Sequence, residues 1–151
     1  ALGVAHRLSA DPRMLPGGGA TQAHLARHLR AFAPSQAGRE QLAIEAFAAA
    51  LEIVPRTLAE NSGLDPIDEI LKLSAAQTES AEEGAWIGMD VASGNKMRMD
   101  EIGVFDPLFV AHHALAGATE AANSVLRIDD VLWAKQDAQT PDWQSEMENQ
   151  D

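Results

Sequence analysis

Gly17, Gly18 and Gly19 stand in a row, directly ahead of a segment with helical periodicity. That run constrains the fold more sharply than any other feature of the sequence. A backbone without Cβ atoms reaches left-handed φ freely and lets another segment or a ligand come close. The helix behind it presents unpaired N–H groups and the positive end of a dipole, which suits an anion. Taken alone, such a run is more often a flexible turn than a ligand site. No Walker lysine follows it, and the dinucleotide-binding spacing is absent.

The rest of the chain reads mainly as helix. Leu2, Val4, Ala5 and Leu8 suit the end of a helix that Asp11 to Pro16 breaks. A helix starts near Ala20, with Leu25, Leu29 and Phe32 at helical spacing. Pro34, Ser35 and Gly38 mark a loop. The longest helix is expected over about residues 40–60, burying Phe47, Leu51, Val54 and Leu58 and kinked at Pro55, which lacks a backbone donor. Asn61, Ser62 and Gly63 stop it. Asp65 and Pro66 supply an N-cap and a first helical position, and the short helix behind them is expected to bury Ile67, Ile70, Leu71 and Leu73. Residues 77–84 are polar and acidic and read as a solvated loop. Residues 86–90 and 96–99 flank Ser93-Gly94-Asn95, the chemistry of a hairpin and the one convincing β element inside the domain. Asp106 and Pro107 start another long helix, with Leu108, Ala111, Leu115, Ala118, Ala122 and Val125 as its apolar stripe. Residues 128–133 suit a short terminal strand, and 136–151 form an acidic tail expected to be disordered.

Composition narrows the function classes. The chain has 151 residues, 46% of them hydrophobic, enough for one domain with a core. It holds no apolar run of about eighteen residues, so no helical membrane span is expected. No signal-peptide pattern opens it, and Ala1 leads into an amphipathic pattern without an initiator Met, as in a piece of a longer polypeptide. With no cysteine, disulfides and thiolate metal sites are excluded, and a reducing, cytoplasmic setting fits. The formal net charge is −12, and it is uneven: residues 1–56 carry six basic and four acidic side chains, residues 57–151 five and nineteen. Such a surface repels nucleic-acid phosphates and anionic membranes, so neither is expected as a partner. Low Lys with abundant Asp and Glu also resembles proteins of a high-salt, halophilic cytoplasm, where salt screens self-repulsion.

Few residues are arranged for chemistry. A carboxylate such as Asp106 just before a helix can accept bonds from ribose hydroxyls while neighbouring apolar residues clamp a base. The commoner role is a cap on its own helix, and the two roles are compatible. His24 and His28 are four residues apart on one helix face, a spacing that can hold zinc, but no third ligand is evident and a metal is not expected. His112 and His113 point about 100° apart on a helix. Asp129 and Asp130 would face opposite sides of a strand and cannot share a proton. No Ser/His/Asp arrangement is recognisable, and no catalytic residue is assigned.

Several segments together carry more information than any one of them. Pro16-Gly-Gly-Gly-Ala20, Gly38-Arg-Glu-Gln-Leu-Ala-Ile-Glu-Ala-Phe-Ala48, Ile53-Val-Pro-Arg-Thr-Leu-Ala-Glu-Asn61, Gly63-Leu-Asp-Pro-Ile-Asp68 and Leu126-Arg-Ile-Asp-Asp-Val131 resemble group II chaperonins, the thermosome and TCP-1 type, in order and spacing. The resemblance implies a mainly α fold: the C-terminal half of the helical equatorial domain over residues 1–135, with one β-hairpin and a short terminal strand. In that family the equatorial domain binds ATP or ADP and holds a stacked double ring of subunits together, and unfolded client proteins bind through other domains. By the same resemblance, Gly18 would approach the nucleotide with its backbone. Asp90, Val91, Ala92 and Val104 would line the adenine pocket, Asp106 would bind ribose, and residues 128–132 would pair with strands at the subunit interface. The Gly-Asp-Gly-Thr-Thr motif that holds phosphate and magnesium in the family is absent from this chain, as is the aspartate that positions the attacking water. This chain by itself is therefore expected not to hydrolyse ATP. As a half-domain that normally packs against its missing partner, it is expected to be marginally stable or to self-associate. Three departures stand out: Gln22 replaces a common Glu, residues 77–84 are unusually acidic, and the tail lacks Gly-Gly-Met repeats.

Overall fold

Proline and glycine set most of the element boundaries. A computed structural model describes residues 2–80 and 83–132. The order is α1 (Leu2–Ala10), β1 (Met14–Pro16), α2 (Ala20–Phe32), a 3-10 turn (Ala33–Ser35), α3 (Arg39–Leu51), α4 (Ile53–Asn61), α5 (Pro66–Glu79), a second 3-10 turn (Gly84–Trp86), β2 (Ile87–Met89), β3 (Lys96–Arg98), β4 (Phe105–Pro107) and α6 (Leu108–Leu126). The fold is mainly helical with two small antiparallel sheets, β2–β3 and β1–β4. Among the described residues no helix is long and apolar enough to cross a membrane.

Pro55 acts more strongly than a kink. It cannot donate to the Leu51 carbonyl, and the expected long helix divides into α3 and α4 around Glu52. The longest helix is therefore α6, with 19 residues. At the end of α4, Gly63 takes φ 73°, and the Leu64 N–H donates back to the Ala59 carbonyl at 3.0 Å, a glycine-dependent stop. Asp65 caps α5 as its sequence predicts: its Oδ1 accepts from Ile67 N at 2.9 Å and Asp68 N at 3.2 Å, with Pro66 at the first helical position.

The chain divides into two compact units, Ala1–Leu115 and Ala116–Asp151. In the first, α2 packs against α3, α4 and α5. Ala26, Ala48 and Leu51 form the centre of the α2–α3 contact, with Leu29 and Leu115 against them. The small alanines let the two backbones approach closely. Phe47 and Val54, expected inside, are exposed, because the buried edge of α3 runs through Ala48 and Leu51 instead. On α5 the buried residues are Glu69, Leu73 and Gln77, at i, i+4 and i+8, while Ile67 and Leu71 are exposed. The solvated loop expected from residue 77 begins later, since α5 continues to Glu79 and Gln77 is fully buried.

In the second unit, the described residues are the second half of α6 and an exposed irregular stretch. Residues 128–132 form no strand, since a strand needs a ladder partner and none of the described segments supplies one. The tail expected over 136–151 lies outside the described residues.

Candidate functional site

Each glycine of the 17–19 turn faces a different element. The Gly17 N–H donates to the Val104 carbonyl at 3.0 Å, and a Cβ there would lie 2.7 Å from Val104 Cγ1. Gly18 has φ +61°, and a Cβ on it would lie 2.5 Å from Met99 Sδ and 2.8 Å from the Met89 carbonyl oxygen. Its own carbonyl accepts from Met89 N at 3.0 Å. Gly19 has φ +73°, and a Cβ there would meet Pro55 Cβ at 2.7 Å. The glycines thus let the β2–β3 hairpin, the approach to β4 and the proline of α4 converge on one turn. No side chain caps the start of α2, and its first turn holds no acidic residue.

The hairpin is as the sequence predicts, with Ile87 paired to Arg98 and Met89 to Lys96. Asp90 organises its turn. The Asp90 carboxylate accepts from Ala92 N at 3.0 Å, from Ser93 N at 3.3 Å and from the Ser93 hydroxyl at 2.5 Å. The Ser93 hydroxyl, followed by the Ala92 amide, holds this carboxyl below the ordinary aspartate value of 3.8. Val91 and Ala92 stand exposed at the tip. The neighbouring wall is a second β element that sequence reasoning missed, β1 with β4, in which Leu15 pairs with Asp106 and Pro16 with Phe105. Asp106 is therefore a strand residue and not the helix cap it was expected to be. The amide of Leu108, first in α6, donates to the Arg13 carbonyl at 3.1 Å and prolongs the ladder. Val104, Phe105 and Asp106 are exposed.

The histidine pair is occupied with itself. His24 Nε2 and His28 Nε2 share a hydrogen bond of 3.0 Å, and Arg27 donates to His24 Nδ1 at 3.2 Å. Burial first, then the His28 and Arg27 charges, push His24 below its ordinary value. Among the described residues no group of three or more His, Cys, Asp or Glu side chains could hold a metal.

The pattern of the TCP-1/cpn60 chaperonin family matches residues 1–136. The chain belongs to that family. This chaperonin chain is 53% identical over 135 residues to a thermosome subunit of Methanocaldococcus jannaschii, covering 89% of this chain and 24% of the relative. It is 51% identical over 133 residues to thermosome subunit 1 of Haloferax volcanii, covering 88% and 23%. A solved open-state monomer of a group II chaperonin from Methanococcoides burtonii has the same fold, with TM-score 0.70 and 38% identity over 76% of this chain and 28% of that one. The chain thus spans about a quarter of the length of the curated chaperonins it matches.

The nucleotide positions implied by the chaperonin resemblance lie on segments bonded to the glycine turn or close to it in the chain. Asp90, Val91 and Ala92 follow the residue bonded to Gly18, Val104 is bonded to Gly17, and Asp106 lies two residues further along β4. Sequence reasoning missed the residues beneath them. Glu69 accepts hydrogen bonds from Lys72 Nζ at 3.0 Å and from Lys96 Nζ. Lys96 first, with Lys72, holds the Glu69 carboxyl below its ordinary value against the opposing effect of burial. Gln77 Nε2 donates to the Ala20 carbonyl at 3.0 Å and to the Ile87 carbonyl at 2.9 Å. The recurrence of 69, 73 and 77 at helical spacing is a signal in the sequence, but Glu69 and Gln77 are polar and Gln77 falls in the stretch expected as a solvated loop.

Proposed function

We propose that this chain is the C-terminal part of a chaperonin equatorial domain and contributes two walls, the glycine turn and the β2–β3 hairpin, to a purine nucleotide cleft that takes ATP or ADP. The observation that carries the proposal is the double engagement of the glycine turn, Gly17 N–H to Val104 and Met89 N–H to Gly18, each at 3.0 Å. It draws an uncapped helix start, an exposed carboxylate and exposed apolar side chains to one place. The amide end of α2 suits phosphate oxygens. The Asp106 carboxylate suits ribose hydroxyls, and Val91, Ala92 and Val104 suit the faces of an adenine ring. Magnesium would be held mainly by parts of the subunit outside this chain, as would the groups that activate water. By itself the chain then binds nucleotide weakly and does not turn it over.

In the complete subunit, nucleotide binding and hydrolysis drive the folding of unfolded proteins in a cytoplasmic double-ring chamber. The exposed apolar residues of α3 and α4 are covered by the rest of that subunit, and residues 128–132 gain their strand partners from a neighbouring copy. A purely structural role in ring assembly is favoured by one fact: each glycine of the turn already serves a contact within the chain. Equilibrium binding of ATP to the full-length subunit separates the two readings. Asp106→Ala is expected to weaken ATP about tenfold or more, the value of a hydrogen bond to a charged group. Wild-type affinity in folded Asp106→Ala would favour the structural reading.

A further inference from the structure

We infer that Gln77 is the positioning residue of this cleft, a side chain whose hydrogen bonds tie its two walls together. The inference rests on the nucleotide reading given above. Gln77 is fully buried, and its single NH2 group donates both to the carbonyl of Ala20, the first residue of α2 after the glycine turn, and to the carbonyl of Ile87, the first residue of β2. Both amide hydrogens are therefore committed, one to each wall. The Gln77 backbone is engaged as well, because Arg27 of α2 donates to its carbonyl at 3.2 Å. Gly84 lies so close that a Cβ would collide with the Gln77 carbonyl oxygen, so the segment entering β2 rests flat on α5 at this point. Two turns earlier on the same face, Glu69 holds Lys96 at the other end of the hairpin. The hairpin is thus fixed to α5 at both ends, but only Gln77 also reaches the glycine turn.

Burying a primary amide in a helix stripe is costly unless its bonds specify an arrangement that an apolar residue could not. Leucine at 77 would fill the space and remove one donor from each of the two carbonyls. The walls would still pack, but their register would loosen. The Met89 N–H to Gly18 bond reports that register directly, since it crosses from one wall to the other.

The test uses the full-length, assembled subunit and reads ATP affinity together with hydrogen exchange at the Met89 amide. Gln77→Leu is expected to weaken ATP about tenfold and to speed Met89 exchange by a similar factor, as for the loss of one or two neutral bonds. Leu51→Ala, in the α2–α3 contact away from the hairpin, destabilises the fold without moving either readout. Gln77→Glu keeps the shape where leucine does not fold. Its carboxylate faces two carbonyl oxygens, and on protonation it regains one donor, so its loss relative to wild type shrinks as pH falls toward about 6. Unchanged ATP affinity in folded Gln77→Leu, or an equal loss in Leu51→Ala, overturns the positioning role. Absence of ATP binding by the wild-type subunit would instead overturn the reading of the cleft, and this inference with it.

Discussion

The contact between α2 and α3 and the contact between α5 and the hairpin are built from opposite materials. The first is mostly apolar: Ala26, Ala48 and Leu51 are buried at its centre, next to the Arg30–Glu52 ion pair. The second is polar at both ends, with Glu69 and Gln77 buried on either side of Leu73. An apolar contact is stabilised by area removed from water and tolerates small shifts. A buried amide or carboxylate is satisfied in one geometry only, and leaving it unpaired costs more than the bond gains. The helical side therefore supplies stability, and the hairpin side supplies register. Register is what the proposed nucleotide cleft needs.

The largest effect expected from breaking this division is at the turn where the two sides meet. Gly18→Val places a β-branched residue at φ +61° with its Cβ against Met99 Sδ and the Met89 carbonyl. Strain and overpacking together are expected to cost at least about 3 kcal/mol, read as a lowered Tm of the full-length subunit. A melt unchanged by this variant would mean that the walls do not meet as described. Next comes the apolar side alone. Leu51→Ala is expected to cost about 2–4 kcal/mol by denaturant titration, with the same cost at neutral and acid pH, because no ionisable group changes partner.

Glu69→Gln probes the polar side and is expected to cost about 1–3 kcal/mol at neutral pH. Its signature is the pH dependence. The folded pKa of Glu69 lies below the ordinary 4.5, so its contribution is present above that value and lost as pH falls through the lower folded value. The difference between wild type and Glu69→Gln should shrink in acid, while that for Leu51→Ala should not. Parallel pH profiles for the two variants would erase the distinction between the two contacts.

The same division explains what the sequence disclosed. Features set by neighbouring residues were legible: the Asp65 cap, the Gly63 stop and the Ser93-Gly94-Asn95 turn each follow from a few adjacent side chains. The family was legible too, through the ordered segments shared with chaperonins, and with it the positions proposed for the site. The β1–β4 ladder was not, because each strand has three residues and they lie far apart in the chain. Nor was the buried face of α5. Glu69 looks like a solvent-facing helix residue, and Gln77 like the start of a solvated loop, until Lys96 and the carbonyls of Ala20 and Ile87 are brought against them. Their burial is decided by partners distant in sequence, which periodicity cannot see.

The smallest expected effect tests whether the hairpin also holds its own tip. Ser93→Ala removes the hydroxyl that contributes most to the lowered pKa of Asp90, leaving the Ala92 and Ser93 amides in place. The Asp90 midpoint, followed by NMR of its carboxyl carbon, should rise back toward 3.8. A depressed carboxyl adds stability above its unfolded value and loses it as pH falls through its folded value, so the variant's deficit should be small near neutrality and vanish in strong acid. ATP affinity should barely move, since the Asp90 carboxylate is engaged by the turn and the exposed apolar side chains of Val91 and Ala92 remain. An Asp90 midpoint that stays low would mean the tip is held without Ser93. A large loss of ATP affinity would mean that Asp90 serves the ligand directly, and that α5 is not the sole source of register for that wall.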